Sequence, residues 1–127
     1  MTKIVILGCL IKVPADMRTA RDRDDHIDRI SVILDRTLRR RRVDVIVLAE
    51  LSSISYSRHC FSHSEIFAED VKGPTYQALG PIAAKHRAFL LYGAPRVGCS
   101  GGLHISQFCI DKDRQPAGVF DKLQLAQ

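Results

Sequence analysis

Two charged side chains lie where α/β proteins place reactive groups. Glu50 follows the apolar run 43–48 by two residues, and Lys122 follows the strand-like segment 116–120. Sites of α/β folds lie at the carboxyl ends of buried parallel strands, where partial burial would raise the pKa of Glu50 toward that of a general base. Position alone leaves two interpretations of each residue open, a catalytic group or a solvated surface charge.

A second cluster combines His59, Cys60 and His63. On a helix, these residues would have the spacing of zinc ligands, but segment 52–64 is predicted to be a loop and no second ligand pair follows it. The sequence has no G-x-S-x-G elbow, and its glycines form neither a P-loop nor a dinucleotide fingerprint. We therefore expect no metal and no cofactor.

The apolar periodicity predicts the elements that carry these residues. The run 4–10 is typical of a strand buried on both faces, and 21–42 is typical of an amphipathic helix. A second buried strand follows at 43–48, and this strand–helix–strand order predicts parallel pairing.

The second part of the chain predicts antiparallel strands. A helix is expected at 73–87, either kinked at Pro81 or beginning late near Gly80. A third strand at 88–92 is expected to end at Gly93 and Pro95, followed by a glycine-rich turn at 97–102. Segments 103–110 and 116–120 then form a predicted hairpin. The fold class is therefore α/β with a mixed sheet.

The net charge of +5 is mostly local. Without the arginine run 39–42, 15 basic residues stand against 14 acidic ones. Because no aromatic residues interleave with the run, a solvated helix end explains it better than a nucleic-acid patch. We therefore expect no nucleic-acid partner.

The remaining composition indicates a cytoplasmic protein without a membrane partner. The 127-residue chain has no apolar stretch long enough to span a membrane, and its first residues are typical of a strand and not of a signal peptide. The cysteines are widely spaced, which favours buried reduced thiols. They are Cys9, Cys60, Cys99 and Cys109.

Three segments together resemble the nitrilase superfamily (carbon–nitrogen hydrolases). Residues 43–51, followed by Tyr56, resemble the family's strand that runs into Pro-Glu-Leu and then Gly-Tyr. Residues 73–93 are similar to the family's next helix and strand, and 103–125 resemble its segment leading to a catalytic lysine. The matching residues there are Ser106, Ile110, Asp111, Asp113, Gly118, Val119, Lys122 and Leu125.

This resemblance implies hydrolysis of a non-peptide C–N bond in a small amide or nitrile. It assigns Glu50 as the general base, Lys122 as the cation that stabilises the tetrahedral intermediate, and Tyr56 as a substrate-binding residue. The family's cysteine nucleophile follows the lysine by a few tens of residues, whereas this sequence ends five residues after Lys122. Residues 1–127 are therefore expected to be a partial domain, the N-terminal half of an α-β-β-α sandwich, inactive alone. Cys109 is expected in the strand core and Cys99 in a turn.

The sequence departs from the family pattern at four positions. Ala49 replaces Pro, Ser55 replaces Gly, Gln124 replaces His, and Arg114 replaces a Gly at a hairpin turn that favours positive φ.

Two further hypotheses stay open. The first is a non-catalytic binding or assembly module, since the family assembles through its outer helices and a homo-oligomer is expected. The second is an anion-binding protein that uses the arginine run 39–42.

Overall fold

Five strands form one mixed sheet in the order in which they occur along the chain. The computed structural model describes residues 2–98 and 101–122. Strands β1 to β3 pair in parallel, while β4 and β5 continue the sheet in antiparallel pairing. The predicted α/β class with a mixed sheet is confirmed. The strands are β1 (Ile6–Gly8), β2 (Val45–Val47), β3 (Phe89–Val97), β4 (Leu103–Ile110) and β5 (Pro116–Asp121).

Two long and two short helices connect the parallel strands. Helix α1 begins with a capping box, in which Thr19 and Asp22 bond to each other's backbone N–H groups. Helix α4 begins with Pro74 as its first residue, where the missing N–H has no cost. The helices are α1 (Ala20–Leu38), α2 (Arg58–Ser62), α3 (Ser64–Phe67) and α4 (Pro74–His86).

The main hydrophobic core lies between the sheet and the helices α1 and α4, which pack on the same face. Leu34 of α1 and Leu79 of α4 are fully buried there against Ile46 and Leu90 of the sheet. On the opposite face, Leu91 is half-buried and Phe120 is 65% exposed. Helices α1 and α4 therefore cover one face of the sheet in the described part of the chain.

Three predictions about individual elements were wrong. The first strand is not buried on both faces, because Leu7 packs against the core while Ile6, on the opposite face, is 63% exposed. Segment 52–64 is not a plain loop, since it contains α2. Strand β3 does not end at Gly93 but continues to Val97, pairing with β4 through Pro95.

Two other local predictions are confirmed, and one alternative for α4 is excluded. The arginine run 39–42 lies exposed at and beyond the C-terminal end of α1. Arg114 adopts a φ of 65° in the β4–β5 turn, the conformation expected there. Helix α4 begins at Pro74 and continues through Pro81, so the late start near Gly80 was wrong. In the predicted turn 97–102, Cys99 lies outside the described residues, as does Gln124 further on.

In residues 2–98 and 101–122, no helix is long and apolar enough to cross a membrane.

Candidate active site

The carboxyl end of β2 positions Glu50. Leu48 N–H donates to the Leu91 carbonyl at 2.9 Å, so the chain stays paired with β3 just beyond β2. The backbone at Glu50 then passes directly over Gly93. A Cβ added to Gly93 would lie 1.4 Å from the Glu50 carbonyl oxygen. Only glycine fits this crossing. Gly93 is therefore a site-forming residue, whereas the sequence indicated only a strand end.

Ser52 fixes the chain just after Glu50. Its hydroxyl accepts from Gly93 N–H at 3.0 Å and is within 3.3 Å of the Gly93 carbonyl oxygen, to which it donates. Ser53 N–H donates to the same carbonyl at 3.2 Å. These bonds hold the segment after β2 against β3, so Glu50 stands on a fixed backbone.

Strand β5 brings Lys122 to the same edge of the sheet. Lys122 N–H donates to the Ile105 carbonyl at 2.8 Å, which extends the pairing with β4 by one residue. The Lys122 ammonium lies 3.1 Å from Glu50 Oε1, and Tyr56 donates its hydroxyl proton to Glu50 Oε2 at 3.2 Å. The structure therefore brings together all three predicted site residues.

These side chains remain accessible to solvent and ligands. The Glu50 and Lys122 side chains are 48% and 40% exposed, and Tyr56 is 62% exposed. A carboxylate that accepts a proton, an ammonium group that stabilises negative charge and a phenol that donates a hydrogen bond thus stand at one open edge.

The pKa of Glu50 is lowered, so the prediction of a raised pKa was wrong. The hydrogen bond from Lys122 is the main cause. Desolvation, the next largest cause, acts in the opposite direction, and the hydrogen bond from the Tyr56 hydroxyl adds to the lowering. The pKa of Tyr56 is raised by burial and by the Glu50 charge. Glu50 is therefore ionised at neutral pH and can accept a proton.

Asp121, the residue before Lys122, is held by a hydrogen-bonded clamp formed by Ser106 and Arg96. The buried Ser106 hydroxyl donates to the Asp121 carboxylate, which also accepts from Arg96 Nη1 at 3.1 and 3.2 Å. Arg96 Nε reaches Asp70 at 3.2 Å. Ser106 matched the family pattern, whereas the sequence did not predict the place of Arg96 on β3.

Glu69 is a buried carboxylate that the sequence analysis did not identify. It accepts from Thr75 N–H at 2.9 Å and from the Thr75 hydroxyl at 2.8 Å, with Arg23 Nη1 at 4.0 Å. Desolvation raises its pKa despite these bonds. Glu69 caps the start of α4, where Gly73 has no side chain to do so.

The His59, Cys60 and His63 cluster does not converge on one point. The two histidine rings stack at 4.4 Å between centroids, while Cys60 is fully buried and its sulfur lies 3.2 Å from the Ser55 hydroxyl. In the described part of the chain, no group of three or more His, Cys, Asp or Glu residues is placed to hold a metal ion.

The described cysteines are free thiols. Cys9 and Cys109 are half-buried, and burial raises the pKa of each thiol. The prediction that Cys109 lies in the strand core was therefore only partly right, while full burial is found at Cys60.

Fold and site together define an α/β protein with an acid–cation–phenol group at the carboxyl edge of a mixed sheet. The sequence matches the carbon–nitrogen hydrolase family model over residues 11–127. The chain therefore belongs to the carbon–nitrogen hydrolase family, and the resemblance drawn from its motifs is confirmed.

Solved structures of this superfamily share the fold. The chain is similar to an N-terminal amidase (TM-score 0.77, 18% identity, 97% of this chain and 28% of that one). It is also similar to a Helicobacter pylori carbon–nitrogen hydrolase (TM-score 0.72, 19% identity, 97% of this chain and 40% of that one). It is similar as well to a Saccharomyces cerevisiae member of branch 10 of the nitrilase superfamily (TM-score 0.72, 19% identity, 97% of this chain and 47% of that one). The chain thus spans less than half the length of each.

A search of curated proteins finds no match to the sequence.

Proposed function

We propose that the chain supplies the base and the cation of a hydrolase that cleaves a non-peptide C–N bond in a small amide or nitrile. The 3.1 Å contact between Glu50 and Lys122, inside the segment matched by the family, carries this proposal. Hydrolysis through a thiol needs a group that takes the thiol proton and a group that stabilises the resulting negative charge, and these two side chains have those properties.

The proposed reaction with an amide proceeds in two stages. Glu50 takes the proton of a cysteine thiol, and the thiolate forms a C–S bond with the carbonyl carbon. Lys122 stabilises the oxyanion of the tetrahedral intermediate. The C–N bond then breaks, the proton on Glu50 passes to the leaving nitrogen, and water cleaves the thioester to give the acid and the free thiol. No metal or cofactor takes part.

Tyr56 is proposed to bind substrate. Its hydroxyl lies next to the reacting carboxylate, and most of its ring surface is exposed. The ring can therefore contact a bound molecule while the hydroxyl orients Glu50.

The nucleophile is proposed to be none of the described cysteines. Cys60 is fully buried and bonded to Ser55, while Cys9 and Cys109 have raised pKa values that disfavour the thiolate. The chain spans 28%, 40% and 47% of the three solved structures that it resembles. We therefore propose that residues 1–127 form a partial domain and that the described residues do not supply the nucleophile for acyl transfer. The three free thiols also support a cytoplasmic location.

Activity assays with and without an added small thiol test this proposal. We expect no hydrolysis of simple amides or nitriles by the purified chain, and thiol-dependent cleavage of an activated anilide when 2-mercaptoethanol is supplied. Glu50→Gln should abolish the thiol-dependent rate, and Asp113→Asn should retain it, since Asp113 pairs with Arg87 in the exposed β4–β5 turn. Hydrolysis without thiol that is lost in Glu50→Gln would disprove the claimed inactivity, and thiol-dependent rates equal in both variants would disprove the role of Glu50.

A second candidate function is an assembly module that forms homo-oligomers. The sheet face opposite the helices carries exposed Phe89 and Phe120, which is typical of a surface that binds another protein surface. Sedimentation should then show a dimer or larger species that dissociates in Phe120→Ser. A well-behaved monomer would contradict this candidate.

A further inference from the structure

A groove lies beside the Glu50–Lys122 pair, between α2 and strands β3 and β4. Its volume is about 720 Å³, which is within the range of small-molecule sites. Most of its lining is apolar. We call it the Arg58 groove, and its main lining residues are Tyr56, Arg58, Phe61, Pro95, Leu103 and Ile105.

Tyr56 connects the groove to the catalytic pair. Its ring packs edge-to-face against Phe61 at 5.2 Å between centroids, and its hydroxyl bonds to Glu50 at 3.2 Å. A molecule lying on the Tyr56 and Phe61 rings is therefore adjacent to the carboxylate that the proposed reaction uses.

Arg58 gives this apolar groove a positive charge. It is the exposed first residue of α2, and within residues 2–98 and 101–122 it forms no ion pair with a carboxylate. The segments 99–100 and 123–127 contain no Asp or Glu. An apolar wall that ends in a guanidinium with no carboxylate partner among the described residues is complementary to an apolar chain that ends in a carboxylate.

We infer that the Arg58 groove binds a small molecule with an apolar chain and a terminal carboxylate. The carboxylate pairs with Arg58, and the chain lies on Phe61, Pro95 and Ile105. The orientation of its reactive amide or nitrile toward Glu50 rests on the proposed function, whereas binding of the carboxylate does not. The inference therefore names the substrate class as carboxylate-bearing amides or nitriles.

Hexanoate and hexan-1-ol, titrated into the isotopically labelled 127-residue chain, test the inference by NMR. They share an apolar chain but differ in charge. We expect hexanoate to bind about three- to fivefold more tightly than hexan-1-ol, the ratio typical of one partly exposed charge pair. The largest backbone shifts should fall on α2 and on β4 near Ile105.

Two variants and a matched control isolate the charge. Arg58→Gln should reduce hexanoate affinity to that of hexan-1-ol, and Ser64→Asp, which adds a negative charge to the groove lining, should reduce it further. Both should leave hexan-1-ol binding unchanged, which shows that the groove is still folded. Arg40→Gln removes the same charge from the exposed end of α1 and should retain hexanoate affinity.

Four outcomes would overturn the inference. They are equal binding of the two probes, unchanged hexanoate affinity in Arg58→Gln, absence of binding, and shifts confined to the basic cavity lined by Lys3, Arg42 and Lys112 at the other end of the sheet. If any of these occurs while Glu50→Gln abolishes the thiol-dependent cleavage, the proposed function stands without this substrate class. Arg58-dependent binding together with equal thiol-dependent rates in Glu50→Gln and Asp113→Asn would instead retain the site and contradict the proposed function.

Discussion

Glu50 and Glu69 are both glutamates that face a cation, yet their environments shift their pKa values in opposite directions. The Glu50 side chain is 48% exposed and contacts Lys122 at 3.1 Å, and its pKa is lowered. The Glu69 side chain is fully buried, its nearest cation is Arg23 at 4.0 Å, and its pKa is raised. At Glu50 the close ammonium outweighs desolvation, and at Glu69 desolvation outweighs two hydrogen bonds and a more distant charge.

This difference separates the carboxylate that we propose to be reactive from a structural one. Glu69 accepts two hydrogen bonds from Thr75, and its own N–H donates to the Pro95 carbonyl at 2.9 Å, so it joins the start of α4 to strand β3. The Glu50 side chain is about half exposed and stays open to ligands. A carboxylate near a cation therefore indicates a reactive site only where it is also accessible.

The largest expected effect is on the Glu69 side of this comparison. Glu69→Ala should lower the free energy of unfolding by about 2–4 kcal/mol, because the buried Thr75 hydroxyl and N–H both lose their acceptor. Urea unfolding measures it. Asp113→Ala, which removes an exposed carboxylate in the β4–β5 turn, should change stability by less than about 0.5 kcal/mol. Similar costs for the two variants would contradict the structural role of Glu69.

The pH dependence of stability gives a second effect at the same residue. Because folding raises the pKa of Glu69, the folded state holds this proton more tightly than the unfolded state. Its contribution is fully present below the unfolded pKa of glutamate and is lost as pH rises through the folded pKa. Glu69→Gln should remove this loss, so the stability difference between variant and parent should move in favour of the variant as pH rises. A difference that does not depend on pH would contradict it.

The next effect tests the clamp before Lys122. Asp121→Ala should cost about 1–2 kcal/mol, since the buried Ser106 hydroxyl loses its acceptor. Ser106 and then Arg96 lower the pKa of Asp121, so its contribution is present above the unfolded pKa of aspartate and lost as pH falls through the folded pKa. Unfolding curves at neutral and acidic pH measure both effects. A cost that is equal at the two pH values would contradict this account.

A smaller effect on stability, with a clear readout, is expected at the Glu50–Lys122 pair. Lys122→Met should change the free energy of unfolding by less than about 1 kcal/mol, since both side chains are well exposed. The same variant should raise the pKa of Glu50, because the main cause of its lowering is removed. Carbon-detected NMR titration of the Glu50 carboxyl measures this, and Lys112→Met is the control. An unchanged Glu50 pKa in Lys122→Met would show that the pair does not form.

Local patterns predicted the placement of Glu50 and Lys122 well but not their surroundings. An apolar run that ends just before Glu50, and a hairpin that ends just before Lys122, are visible along the chain. The direction of the Glu50 pKa shift depends on the contact between Glu50 and Lys122, which lie far apart in the chain. The spacing of apolar residues gives no information on such a contact. The need for Gly93 has the same origin, since it comes from the Glu50 backbone crossing strand β3.

The sequence pattern also failed to predict the surroundings of strand β1 and helix α2. The run 4–10 has the composition of a central strand, yet β1 lies at the edge of the described sheet. Segment 52–64 lacks apolar periodicity because α2 has only five residues, too few to show a repeat. Cys60 of α2 is nevertheless fully buried in a second small core with Met17 and Phe67.

The smallest expected effect separates two roles of Tyr56. Tyr56→Phe removes one of the two hydrogen bonds to Glu50 and keeps the ring, so the pKa of Glu50 should rise less than in Lys122→Met. Stability should change by less than about 0.5 kcal/mol, since the side chain is exposed. If the ring binds substrate, Tyr56→Phe should retain hexanoate affinity while Tyr56→Ala loses it. Equal hexanoate affinity in Tyr56→Phe and Tyr56→Ala would restrict Tyr56 to orienting Glu50, and the contrast with Glu69 would then rest on Lys122 and solvent access.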